Sequence, residues 1–336
     1  MLALQRQQID QNASICELPL KSAASKLAYP GRMSASPLPQ RLGLDAARIR
    51  TPAAGEWPTL RDHLVHRLAH RVPAERIDEQ FDSGGYVDDA GRPLSRDSVF
   101  VPGMRIWFHR DLPDEVRVPF EVGVLHADER IVVADKPHFL ATIPRGQHIR
   151  QTALIRLREE LGLLELSPAH RLDLATAGVL LFTTRQEFRG RYQNIFRDRL
   201  ARKTYLAVAG VRRDLTFPVT VRSHIVKERG SIQAADTDDL PPNAETIVDL
   251  VATRGDRGLY RLTPSTGRTH QLRLHLWRLG LPIEGDALYP TVLDTDRGDF
   301  STPLQLLAES LEFDDPIDGT TRRFVSARTL DRWPFP

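Results

Sequence analysis

Residues 170–183 read His-Arg-Leu-Asp-Leu-Ala-Thr-Ala-Gly-Val-Leu-Leu-Phe-Thr. Arg171 and Asp173 stand two positions apart, immediately before an apolar, strand-like run. In extended backbone that spacing sends both side chains to the same side, and Gly178 lets the chain turn tightly into the strand. A carboxylate beside a guanidinium stays ionised at neutral pH, and an ionised carboxylate can act as a nucleophile. The same two residues would serve equally well as a structural ion pair, since such pairs perturb pKa in the same way.

Further stretches follow a set order. They are residues 132–144 with Asp135-Lys136-Pro137, then Lys203-Thr204-Tyr205-Leu206-Ala207, then Thr266-Gly267-Arg268-Thr269-His270-Gln271-Leu272-Arg273-Leu274-His275, with Gly280-Leu281-Pro282-Ile283-Glu284-Gly285-Asp286 downstream. Taken with His170-Arg171-Leu172-Asp173 and Thr176-Ala177-Gly178, they resemble the RluA family of pseudouridine synthases. The family usually has Ser where this chain has Ala177, a change that touches one local hydrogen bond. The resemblance runs from about residue 119 to 327.

The resemblance implies isomerisation of specific uridines to pseudouridine in structured RNA, with ribosomal RNA favoured over tRNA. It gives Asp173 the role of nucleophile toward either the ribose or C6 of the ring. Tyr205 would lie against the flipped uracil and could move a proton there, and Arg273 would pair with Asp173 and keep it charged. Leu272 would form part of the apolar wall of the base pocket. His170, Arg171, Lys203, Arg268 and His270 would serve the RNA, Arg171 by filling the space vacated by the base or by binding a neighbouring phosphate. Read without the resemblance, Tyr205 is a half-buried core tyrosine on one strand face with Lys203 and Ala207. Arg273 is a helical arginine that snorkels to the surface, and His170 a core histidine. The reaction is redox-neutral, and the resemblance implies neither metal nor cofactor. The chain carries no Walker loop, dinucleotide fingerprint or zinc-ligand spacing.

Composition sets outer limits. Hydrophobic residues are 41% and charged residues 27% of 336, ordinary for a globular chain of up to two domains. No apolar run approaches the roughly 18 residues that span a bilayer, and Cys16 is the single cysteine, which points to a reducing cytoplasm. The formal net charge is only +2, so an RNA surface has to come from local clustering. The densest cluster is Arg189, Arg191, Arg197, Arg199, Arg202 and Lys203. No feature calls for an obligate protein partner, so a monomer is expected.

Residues 1–56 are read as a flexible extension rich in Ser, Ala and Pro, with Met1 or Met33 as the native start. Residues 57–112 hold a helix with Leu60, Leu64, Leu68 and Val72 on one face and a basic remainder. A second helix and Gly- and Pro-bounded strands follow, an arrangement that resembles the S-four-like RNA-binding domain. Residues 113–336 form the larger domain. Its helices are read at 152–161, 186–200 and 269–279, and residues 229–243 as a loop. Many strands and few helices in mixed order give an α+β fold, a mainly antiparallel central sheet with flanking helices.

Two other functions fit parts of the pattern. One is a non-catalytic RNA-binding or ribosome-assembly protein of the same fold, against which Asp173, Tyr205 and Arg273 stand together. The other is a glycoside hydrolase, which needs two carboxylates flanking the bond; the motifs supply only Asp135 as a second, in a context that looks structural.

Overall fold

The computed structural model describes residues 36–112 and 114–333. The readings of Cys16 and of Met1 or Met33 as the start lie outside these residues.

A small N-terminal unit holds β1 (Ala47–Arg50), α1 (Leu60–Leu68), α2 (Ala74–Asp82) and β2 (Arg105–Phe108). Thr59 caps α1 in a reciprocal box with Asp62. Ile49, Leu60, Leu64, Ile77, Phe81 and Ile106 close a core of their own. The reading of residues 1–56 as flexible is corrected over its described part. β1 pairs antiparallel with β2, burying Ala47 and Ile49 and exposing Arg48 and Arg50. Gly43 and Asp45 are tied to the larger domain through the Arg158 guanidinium. Four alternating residues are too short a run to register as a strand in sequence.

The larger domain runs β3 (Gly123–Ala127), β4 (Ile131–Lys136), α3 (Ala153–Leu161), β5 (Ser167–Pro168), β6 (Ala177–Thr183), α4 (Gln186–Arg197), β7 (Arg202–Gly210), β8 (Val219–Val226), β9 (Ala235–Thr237), β10 (Ala244–Arg254), β11 (Arg257–Pro264), α5 (Gln271–Arg278), β12 (Leu306–Asp314) and β13 (Thr321–Val325). One sheet carries the order β3-β4-β6-β12-β7-β11-β10-β8-β9, with β13 on β12 and β5 on β6. Only β6 and β12 pair in parallel, so the sheet is mixed and mainly antiparallel, as expected.

β4 and β6 are buried along their whole length because both faces are covered. Val132, Ala134, Leu180 and Phe182 face α3, and Ile131, Val133, Val179 and Leu181 face α4. α5 lays Leu272 and Leu276 on Ala207, Tyr260 and Leu262 of β7 and β11. Thr152 caps α3 through the Ile155 amide, and Gly162 ends it in the left-handed region.

Three elements differ from the sequence reading. α4 ends before residue 200 because Arg199 turns left-handed at φ 60 and Leu200 N–H bonds back to Ile195. α5 starts at 271 because His270 sits at φ 57. The presumed loop 229–243 contains β9, three residues long and therefore without a detectable period.

Candidate active site

Asp173 sits on the connection between β5 and β6. Thr176 N–H closes a turn onto the Asp173 carbonyl at 3.1 Å. Three side chains from residues 136–142 grip the backbone on either side. Thr142 Oγ1 donates to the Leu172 carbonyl at 2.8 Å and accepts the Leu172 N–H at 3.1 Å. Lys136 Nζ donates to Leu174 at 3.2 Å, and also to Pro137 and Leu140. His138 Nδ1 donates to the Ala175 carbonyl at 2.7 Å. With Leu172 buried beneath, the turn is fixed as a unit.

Gly178 decides where the turn meets the sheet. Its φ is +113°, and a Cβ there would lie 2.2 Å from the Ala308 carbonyl oxygen. Only glycine lets β12 approach β6 this closely.

Lys136 is completely buried. Burial pushes its ammonium down to about 7, opposed by the nearby charge of Asp173. Asp135, its neighbour, accepts from Ser326 Oγ and the Ala327 amide at 2.8 and 2.9 Å, a structural role as expected.

The half-buried Asp173 carboxylate borders three adjoining cavities. The first, of about 600 Å³, is lined by Arg145, Arg171, Arg197, Arg199, Lys203 and Arg268, and Asp173 is the only acidic side chain on its wall. The second is a narrow pocket of about 100 Å³ between Asp173, Tyr205, His270, Leu272, Arg273 and Leu306, and again Asp173 is its only acid. The third, about 730 Å³ and largely apolar, opens past Leu174 toward Phe139 and Phe300.

The expected Arg273–Asp173 pair is not the one formed. Arg273 Nε donates to Asp286 Oδ2 at 2.7 Å, and its Nη2 bonds the other oxygen of the same carboxylate. The two side chains are 4% and 1% exposed. Among the described residues the Asp173 carboxylate accepts no hydrogen bond and makes no ion pair. A buried guanidinium needs a buried, well-oriented anion. Asp286 provides that, its Oδ1 also accepting the Leu288 and Tyr289 amides at 2.8 and 3.1 Å. Gly285, at φ +74, allows this bend beside the Pro303 carbonyl. Arg273 still borders the same pocket as Asp173.

Tyr205, on β7, is a half-buried wall of the pocket; burial and the Asp173 charge push its phenol well above the usual range, so it stays protonated. Leu272 is buried beside it. Lys203 Nζ donates to the Thr266 carbonyl at 3.0 Å, and Arg268 Nε to the Asn243 carbonyl at 3.2 Å. Arg171 is exposed at the mouth of the first cavity. His170 contributes wall and no charge. Its ring stacks on Phe196 at 4.3 Å, its Nε2 accepts the Leu181 N–H, and burial pushes it down to about 3.

Sequence reasoning missed several of these groups. Lys136 and Asp286 lay inside quoted motifs but without their contacts, and His138, Thr142, Arg145 and Tyr289 carried no role. A lysine ending a strand that begins Ile-Val-Val-Ala is the one signal that could have been read, because a buried ammonium has to be satisfied. Among the described residues no group of three or more His, Cys, Asp or Glu could hold a metal ion, and no helix is long and apolar enough to cross a membrane.

The model of the RNA pseudouridylate synthase family matches residues 130–277, which hold the Asp173 turn, Tyr205 and Arg273. The dual-specificity RNA pseudouridine synthase RluA of Haemophilus influenzae is 30% identical over 226 residues, covering 62% of this chain and 95% of the relative. That of Pasteurella multocida is 32% identical over 210 residues, covering 58% and 88%. The chain belongs to the RluA family of pseudouridine synthases. Human pseudouridylate synthase RPUSD2 is 33% identical over 192 residues, which cover 56% of this chain and only 34% of that longer protein. As a pseudouridine synthase the protein is an isomerase that acts on uridine in RNA. The family match stops short of the N-terminal unit, which lies wholly before residue 130.

Proposed function

We propose that Asp173 is the nucleophile with which this pseudouridine synthase opens the N1–C1′ bond of a uridine extruded from structured RNA. One observation carries the reading: among the described residues Asp173 is the only acidic side chain on the wall of a cavity that also carries five arginines and Lys203. Such a wall attracts phosphates and leaves one carboxylate to do chemistry. A hydrolase acting through two flanking carboxylates would need a second acid there.

The uracil enters the narrow pocket, against Tyr205 on one side and Leu272 on another, while Arg171, Arg199, Lys203 and Arg268 hold the neighbouring backbone. Extrusion costs a few kcal/mol, recovered from these contacts. Arg273, anchored by Asp286, sets a fixed positive charge at the pocket floor. It stabilises charge that develops on the ring once the bond to C1′ breaks. The N-terminal unit extends the RNA surface as an S-four-like module through the basic positions that make no ion pair among the described residues, such as Arg67, His70 and Arg71. Arg61, Arg76 and Arg96, by contrast, are already paired with acids. A separate RNA-binding module favours ribosomal RNA over a tRNA loop as substrate, in the cytoplasm, by a monomer.

The test is Asp173→Asn, assayed by tritium release from C5-labelled uridine in transcripts of large-subunit ribosomal RNA and of tRNA. Release should vanish while RNA affinity stays within about threefold, the signature of a group used only in the transition state. A variant as active as the wild type overturns the assignment.

A further inference from the structure

The isomerisation has a second half that the nucleophile does not perform. Once C5 has joined C1′, that carbon still carries its hydrogen, and a base has to remove it before the ring regains its conjugation. The hydrogen bonds around His270 single out that base.

The Tyr289 hydroxyl carries one hydrogen, which it donates to the Ala234 carbonyl at 2.9 Å. The same oxygen accepts the Ala234 N–H at 2.8 Å. His270 Nδ1 lies 2.9 Å from it, and with the hydroxyl hydrogen given to the Ala234 carbonyl the ring meets it as an N–H donor. The neutral ring therefore holds its proton on Nδ1 and presents a lone pair on Nε2. That nitrogen has no hydrogen-bond partner among the described residues, and the ring borders the narrow pocket together with Asp173 and Tyr205.

No other side chain of the pocket offers a basic nitrogen lone pair. Arg171, Lys203, Arg268 and Arg273 are cations, and Tyr205 stays protonated. The Gln271 carbonyl is taken by Thr266 Oγ1 and the Arg268 amide. The Asp173 carboxylate, freed when C5 joins C1′, is the other base on the pocket wall, and the His270 variants distinguish the two.

We propose that His270 Nε2 is the base that takes the C5 proton in the second half of the reaction. The C5–H bond breaks toward Nε2 and its electron pair becomes the C5=C6 bond. The C6=N1 pair returns to N1, which takes up a proton, so the exchange is balanced and needs no further reactant. Burial holds the free ring below its ordinary pKa, helped by the charges of Arg273 and Lys227. The Asp173 and Asp286 carboxylates act the other way and steady the imidazolium once formed. This rests on the reading of Asp173 as nucleophile.

The test uses His270→Gln and His270→Ala with the same C5-labelled transcripts. Both should lose about 10²–10⁴-fold in kcat, the usual worth of a positioned base, with RNA affinity little changed. Both should show a primary isotope effect with C5-deuterated uridine, and imidazole should restore part of the His270→Ala rate. An unchanged kcat, or a loss with neither isotope effect nor rescue, overturns the proposal. Nitrogen NMR of the wild type checks it without a substitution: an unprotonated Nε2 and a protonated Nδ1 support it, and the opposite tautomer overturns it. If the wild type releases hydrogen and Asp173→Asn does not, the parent reading stands whatever His270 does. A wild type that releases none overturns both.

Discussion

Arg273 gives the Nε and Nη2 of its guanidinium to the two oxygens of Asp286, thirteen residues on in the chain, and leaves the Asp173 carboxylate without an ion-pair partner among the described residues. The pair is buried, and Arg273 also lies over the Tyr289 ring at 5.2 Å. Removing the carboxylate strands a buried cation. Asp286→Ala should therefore cost about 3–5 kcal/mol, read as a fall in the urea midpoint at unchanged m-value. Asp286→Asn, which keeps one acceptor oxygen, should lose less. A variant within about 1 kcal/mol of the wild type would show that the pair contributes no net stability.

Lys136 reaches Asp173 by its bond to the Leu174 carbonyl and by the charge of its ammonium. Lys136→Met fills similar volume but leaves three carbonyls without their donor. The expected loss is about 2 kcal/mol of stability, with kcat reduced by about 10²-fold as the turn loosens. Full activity with lowered stability would confine Lys136 to the fold.

Acid should weaken the fold before its carboxylates titrate. His138 and His275 are pushed down to about 4 and His170 to about 3, in each case chiefly by burial. Unfolded histidine titrates near 6.5, so between about pH 6.5 and 4 the unfolded chain binds more protons than the folded one. Stability is then fully present above that window and falls as pH drops through it. For His275, completely buried between Ser223 and Thr246, the slope is about 1.4 kcal/mol per pH unit. Urea midpoints measured across this range check it, and a flat profile contradicts it.

RNA affinity should fall steeply with salt. Arg145 and Arg199 are exposed on the basic cavity and make no close ion pair among the described residues. Replacing either by Ala should reduce the slope of log Kd against log salt by about 0.7–0.9, one phosphate contact. Arg197, already paired with Asp198, should change it less. Equal slopes for all three would place the RNA elsewhere.

Much of the architecture was legible locally. Apolar periods placed the helices at Leu60–Leu68 and Ala153–Leu161 to within a few residues, and the mixed order of elements gave the mainly antiparallel sheet. Errors fell where local pattern carries no signal. β1 and β9 are four and three residues long, and Arg199 and His270 leave helical geometry by adopting a left-handed backbone that no period reveals.

The site divides in the same way. By itself the chain of residues determined the Arg171-Leu172-Asp173 motif before an apolar strand, the glycine at the start of that strand, the order of the motifs and so the family, because these depend on neighbours along the backbone. Only the tertiary structure decided that Arg273 goes to Asp286, that Lys136, His138 and Thr142 grip the Asp173 turn, and that Tyr289 sets the tautomer of His270. A hydrogen bond is chosen by which groups come within about 3 Å with the right donors and acceptors, and sequence spacing does not encode that approach.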